Sequence, residues 1–140
     1  VKLKKHRKMP KKKEVYSMSD KYGSKVWFIP DGYYPSTSSG TQKSHDAICV
    51  LNPGKKVANI SITLYFEDRD KMQGFYTSCG AERTHHIRMD KIKDKNGNTV
   101  PMDVPYAMMV ESDVEIIVQY SRMDTTQAEM ALMTTMAYPL

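Results

Sequence analysis

The sequence predicts an all-β fold, a single-domain β-sandwich or jelly-roll-like barrel, and three observations predict it. Short apolar runs rich in β-branched and aromatic residues recur at close intervals, with clusters of Pro, Gly, Asn and Asp between them. Residues 58–66 alternate apolar and polar with the period of a half-buried strand. At 140 residues and 40% hydrophobic, the chain can build one ordinary core and has little material for a second. Roughly seven to nine strands follow.

The chain opens with an arm. Lys2, Lys4, Lys5, Arg7, Lys8, Lys11, Lys12 and Lys13 supply eight of its 21 basic residues, and the remainder carries 13 basic against 16 acidic residues. A mildly acidic domain, residues 21–140, therefore wears a basic arm, residues 1–20. The arm has too few apolar residues to order itself when free. Its charge suits DNA phosphates or an anionic membrane surface, although no aromatic residue is interleaved in its first 13 positions for base stacking; a solubilising tail is the alternative. No secretory h-region and no run of ~20 apolar residues occurs, which predicts a cytoplasmic protein.

Residues 25–29 form a compact apolar strand that Pro30-Asp31-Gly32 is expected to end in a tight turn. Residues 33–44, rich in Ser, Thr, Pro and Gly, read as a long exposed loop of the kind that carries function. Strands at 46–51 and 58–66 flank the turn at 52–56, with Ile60, Ile62, Leu64 and Phe66 on the core face of the second. Residues 74–79 and 83–89 read as two more strands around Gly80, and Asn96-Gly97-Asn98 marks a turn. Residues 104–111 and 114–122 read as a hairpin joined at Ser112-Asp113. Residues 127–133 have helix-forming composition over about two turns, and a last strand is expected at 134–138.

Candidate functional residues are concentrated where residues 114–122 end. Val114, Ile116 and Val118 make a strand core, and the chain then runs into Gln119, Arg122, Asp124, Gln127 and Glu129, which a core does not need. These residues form either a ligand site or a wet loop with a local Arg122–Asp124 ion pair. Adjacent His85 and His86 point to opposite faces of their strand, so they do not chelate one metal together. Thr84, His86 and Arg88 share a face suited to an anion or a hydroxylated ligand, or simply an exposed face or subunit contact.

Catalytic signatures are weak. Cys49 and Cys79 sit in strand contexts and read as reduced structural residues; pairing either with His45 or His86 lacks a nucleophile turn and an oxyanion hole. Asp31, Glu111, Asp124 and Glu129 have no spacing that marks a glycosidase pair. No CxxC, HExxH or glycine-rich phosphate loop occurs, so neither cofactor nor metal is expected.

The segments Trp27-Phe28-Ile29-Pro30-Asp31-Gly32-Tyr33, Ser44-His45-Asp46, Cys49-Val50-Leu51-Asn52, Ile62-Thr63-Leu64-Tyr65-Phe66, Arg83-Thr84 with His86-Ile87-Arg88, and Val118-Gln119 with Ser121-Arg122 and Asp124 through Gln127-Ala128-Glu129 occur in one order along the chain. Together they resemble the sensory rhodopsin transducer family over about residues 27–138. That resemblance implies a compact β-sandwich assembled as a homotetramer, in a superfamily of small-molecule-binding domains with sugar-like ligands. It implies a pocket among Trp27, Asp31, Tyr33, His45, Asn52, His86, Arg88, Gln119, Arg122 and Asp124. Asp31 departs from the Glu frequent in relatives, and the basic arm is outside the shared domain.

The function expected is a non-enzymatic ligand-binding or signalling module, an oligomer whose occupancy changes its engagement with a partner. Trp27 and Tyr33 are expected to stack on the ligand, His86 and Arg88 to donate hydrogen bonds, and Gln119, Arg122 and Asp124 to orient it. The competing expectation is a scaffold whose arm attaches to DNA or a membrane receptor. An apolar strip at Met130, Leu132, Met133 and Met136 reads as an oligomer surface or a core-packed strand.

Overall fold

A computed structural model describes residues 22–140 as eight β-strands with no helix. The strands are β1 (Ser24–Gly32), β2 (His45–Asn52), β3 (Ala58–Tyr65), β4 (Met72–Cys79), β5 (Arg83–Arg88), β6 (Tyr106–Asp124), β7 (Ala131–Met136) and β8 (Tyr138–Pro139). The basic arm at 1–20 lies outside the described residues.

All pairings are antiparallel, and β6 belongs to two layers. Its first half pairs with β1 and β3, giving the order β4-β3-β6-β1-β8. Its second half pairs with β2 on one side and β7 on the other, and β5 extends that layer beyond β2. The result is a sandwich whose layers share one strand, not a closed barrel. The core interleaves Trp27, Ile29, Ile60, Ile62, Leu64, Phe75, Met108 and Val110 from the first layer with Ile48, Val50, Ile87, Ile116, Val118 and Tyr120 from the second. Each of these aliphatic side chains contributes about 1.5–3 kcal/mol when fully buried.

The hairpin expected at Ser112-Asp113 is instead one continuous 19-residue strand. The polar pair marks the change of layer. Ser24 pairs with Ile116 and Val26 with Glu111, so three extra residues of β6 are absorbed in an irregularity at 112–115. Irregularities of this kind let a strand bend at a sandwich corner. Asp113, freed from a turn, accepts the Asn59 backbone N–H at 2.9 Å and its side-chain amide at 2.7 Å.

Two other expectations are corrected. Pro30-Asp31-Gly32 does not end β1; the strand continues through Gly32 with a register shift between Ile29 and Gly32. A proline is tolerated where the ladder is already broken. The helical turns expected at 127–133 are absent, and residues 131–136 form β7 against Gln119 through Asp124. Two turns of helix are marginal alone, whereas the open edge of β6 offers each backbone group a partner. The last strand divides at buried Ala137, so that β7 lies on one layer and β8 on the other.

The loop at 33–44 is as expected, and it is tied down. Thr125 N–H donates to Ser44 Oγ at 2.9 Å, Thr125 Oγ1 donates to Gln42 O at 3.0 Å, and both side chains are buried. Among the strand glycines, Gly74 has φ +95° where β3 and β4 shift register. Both cysteines are free thiols, with Cys79 buried and Cys49 half-buried.

Gly32 has no room for a side chain, because a Cβ there stands 2.5 Å from the Tyr106 ring. Gly32→Ala is expected to cost about 1–3 kcal/mol by overpacking and to lower the unfolding midpoint by at least about 3 °C; a midpoint equal to wild type shows that the ring is not held in place.

Candidate functional site

Asp46 stands in an otherwise apolar strand. The alternation of β2 turns Asp46, Ile48, Val50 and Asn52 inward, and Asp46 is 0% exposed. A carboxylate in such a place needs paired donors. Oδ1 accepts from Arg122 Nε at 3.1 Å, and Oδ2 accepts from the Tyr33 backbone N–H at 2.7 Å and from Tyr106 Oη at 2.8 Å. Arg122 lies directly opposite Asp46 across the β2–β6 ladder, and Tyr106 reaches over from the other layer. Burial, reinforced by the Asp46 charge, pushes the Tyr106 phenol well above its ordinary pKa, so it remains a neutral donor.

Arg122 is only partly satisfied. Nη1 lies 3.6 Å from the exposed Asp31 carboxylate, while Nη2 is buried without a hydrogen-bond partner. Tyr120, two residues earlier on the same face, packs its ring 5.8 Å from the guanidinium carbon. Its hydroxyl is also buried and unpartnered. Burial and then the nearby Asp46 charge raise the Tyr120 pKa, yet no acceptor meets the hydroxyl at hydrogen-bonding geometry. These are the two orphaned side-chain polar atoms among the described residues.

Tyr120 lies beside an opening in the side of the sandwich. A cavity of about 440 Å³ runs between β1 and β7, lined by Phe28, Pro30, Asp31, Tyr120, Met133 and Tyr138 among others. The irregularity in β1 puts Asp31 at its rim. A second hollow, about 290 Å³ beside Lys25, Lys55, Lys56, Asp113 and Glu115, is lined by charged groups and borders neither orphaned atom.

The residues named from sequence fall into four places. Asp31 lines the cavity and meets Arg122 just behind it, and Tyr33 joins them through its backbone bond to Asp46. His45, His86, Arg88 and Gln119 belong to the opposite, outward face of the second layer: Cys49 is opposite both His86 and Gln119, and Ala47 is opposite Arg88. Trp27 and Asn52 are core residues. The Trp27 indole N–H reaches Ser24 O at 2.9 Å and Ile116 O at 3.1 Å. The Asn52 amide donates to the carbonyls of Lys56, Cys79 and Gly80. Trp27 is thus not placed to stack on a ligand.

Asp124 does not pair with Arg122; it accepts from Thr126 N–H at 2.8 Å and Thr126 Oγ1 at 2.7 Å, and these bonds hold its carboxyl below the usual range. On the outward face Arg88 is engaged by Asp90 through two bonds of 2.8 Å.

Sequence reading did not single out Asp46, Tyr106 and Tyr120 as site residues. Two of them had a signal: Asp46 is the one charge inside an apolar strand, and Tyr120 shares parity with Arg122. Tyr106 had none, because it arrives from another layer. Among the described residues no His, Cys, Asp or Glu cluster has metal-binding geometry, and no helix is long and apolar enough to cross a membrane.

Comparison with known proteins agrees with this architecture. The family described as Anabaena sensory rhodopsin transducer matches residues 22–139. A crystal structure described as Thermotoga maritima 1070 is 35% identical, covering 84% of this chain and 96% of that one with a TM-score of 0.76. The structure of the Anabaena sensory rhodopsin transducer is 31% identical, covering 74% of this chain and 97% of that one with a TM-score of 0.66. No curated protein sequence matches.

The cluster separates structural from unpartnered groups by stability. Asp46→Ala strands the Arg122 charge and is expected to cost about 3–5 kcal/mol in chemical denaturation. Tyr120→Phe removes an unpaired hydroxyl and is expected to leave stability unchanged or raise it by up to about 1 kcal/mol; a comparable loss shows that the hydroxyl is bonded after all.

A pH effect follows from Asp90. Burial opposes its charge, but the Arg88 hydrogen bonds and charge outweigh burial and hold its pKa below the ordinary carboxylate value. A carboxyl depressed in the folded state stabilises above the unfolded pKa of about 3.9, and that contribution is lost as pH falls through the lower folded value. The stability gap between wild type and Asp90→Asn is therefore expected to be level near neutrality and to close in acid; a gap that widens below pH ~4 contradicts this.

Proposed function

The chain belongs to the Anabaena sensory rhodopsin transducer family, and on that premise we propose that it is a non-enzymatic signalling module. It holds a small hydroxylated, sugar-like molecule in the cavity beside Arg122. It acts as an oligomer, and occupancy changes how that oligomer engages its partner. The family's name makes a membrane receptor the first partner to consider, in the cytoplasm.

One observation carries the ligand reading: Tyr120, whose buried hydroxyl has no hydrogen-bond partner, lines the cavity, and the Arg122 guanidinium, with its own unpartnered Nη2, packs against the Tyr120 ring. A buried donor left unsatisfied costs about 1–3 kcal/mol. Two such groups side by side fit a site whose partner is a ligand oxygen. The Phe28 and Tyr138 rings and the Met133 and Met136 side chains offer the apolar surface on which a sugar's CH faces pack. Oligomer formation is supported by β7, an edge strand on which Leu132, Met133 and Met136 are all exposed, together with the neighbouring Met130.

A transducer or scaffold that binds a receptor or DNA through the basic arm is the alternative, and salt separates them. Arm contacts with phosphate weaken steeply with ionic strength, whereas a pocket bound by hydrogen bonds does not.

Thermal-shift screening of the full chain with neutral sugars, sugar acids and nucleotides tests the ligand reading. A saturating sugar at ~100 times its Kd adds about 2.7 kcal/mol of stability. Tyr120→Phe is expected to fold as wild type yet bind at least about tenfold more weakly; a folded Tyr120→Phe protein with wild-type affinity removes this site.

A further inference from the structure

We infer that Asp31 makes this cavity selective for hydroxylated ligands that are neutral or positively charged, and closes it to carboxylates and phosphates. The inference rests on the reading of the cavity as a ligand site.

An arginine next to a pocket ordinarily recruits an anion, because its fork matches carboxylate and phosphate oxygens. Here its charge is already matched from inside. Arg122 bonds the fully buried Asp46 at 3.1 Å and meets Asp31 at 3.6 Å, so one guanidinium faces two carboxylates and the group carries a formal charge of −1. Asp31 is the surplus charge, and it is the one charged residue lining the cavity among the described residues. The remaining lining includes aromatic, methionine, proline and threonine side chains, which do not neutralise it.

The hydrogen-bonding pattern points the same way. Arg122 Nη1 faces Asp31 at 3.6 Å, too far for a direct hydrogen bond, and Asp31 at the rim is an acceptor with 76% of its side chain exposed. A hydroxyl satisfies both, accepting from the guanidinium and donating to the carboxylate, with Tyr120 Oη able to take either role. An ionised carboxylate or phosphate oxygen has no proton for Asp31 and approaches a like charge. Rejection of the wrong ligand by a placed charge is a common source of specificity. The register shift between Ile29 and Gly32 sets Asp31 there, so its position is built into β1.

The test is calorimetric titration of the full chain with matched pairs, glucose and galactose against glucuronate and galacturonate, on wild type and Asp31→Asn. Because Asp31 is exposed, Asp31→Asn is expected to keep the wild-type unfolding midpoint. In wild type the neutral sugars are expected to bind at least about tenfold more tightly than the acids. Asp31→Asn is expected to shrink that gap by about tenfold, chiefly through tighter binding of the acids. Uronates that bind wild type as well as the neutral sugars, or a gap that Asp31→Asn leaves unchanged, overturn the selectivity while the ligand reading stands. Failure of every sugar and acid on both proteins overturns the ligand reading and the selectivity with it.

Discussion

The Asp46 carboxylate is the constraint on which the rest of this structure turns. Its donors include Tyr106 at the start of β6 and Arg122 near the end of the same strand. In a straight strand those residues stand roughly 50 Å apart at ~3.3 Å per residue, far beyond the reach of two side chains to one carboxylate. Both reach it only because β6 bends at 112–115 and passes from one layer to the other. The interaction and the topology therefore require each other, and a third bond, from the Tyr33 backbone, anchors the long loop where it leaves β1.

This arrangement also explains why the site is unfinished. Satisfying Asp46 uses Arg122 Nε and the Tyr106 hydroxyl, and it leaves Arg122 Nη2 and the Tyr120 hydroxyl without hydrogen-bond partners. A sheet edge would have covered them, but β7 leaves the layer at Ala137 to place β8 beside β1, and the cavity opens along that crossing. Buried polar networks are favourable when complete and costly when partial. The network here is complete around Asp46 and partial around Tyr120.

The features legible in sequence were local. Strand positions, the long loop at 33–44, the turn at 96–98 and the opposite directions of His85 and His86 all follow from alternation and turn chemistry, which act over a few residues. The misreadings share one cause: a local signal admitted two outcomes and a distant partner chose between them. Ser112-Asp113 suits a turn or a bend, and pairing with β1 on both sides of it selected the bend. Residues 131–133 suit a helix or a strand, and the open edge of β6 selected the strand. Pro30-Asp31-Gly32 suits a turn or an irregular strand, and Gly32 packed on Tyr106 selected the strand.

The candidate site divides in the same way. Arg122 and Asp31 stand out as polar residues at strand ends, and that much needs only the chain. Their meeting, the separation of His86, Arg88 and Gln119 onto the other face, and the arrival of Tyr106 depend on which layer each strand joins. By itself the sequence determined the class of fold, its approximate strands and a family resemblance, because periodicity and turn residues encode local geometry. The pocket was decided by the tertiary structure alone, because a buried charge takes its partners from wherever the chain brings a donor within about 3 Å, and sequence distance does not enter that condition.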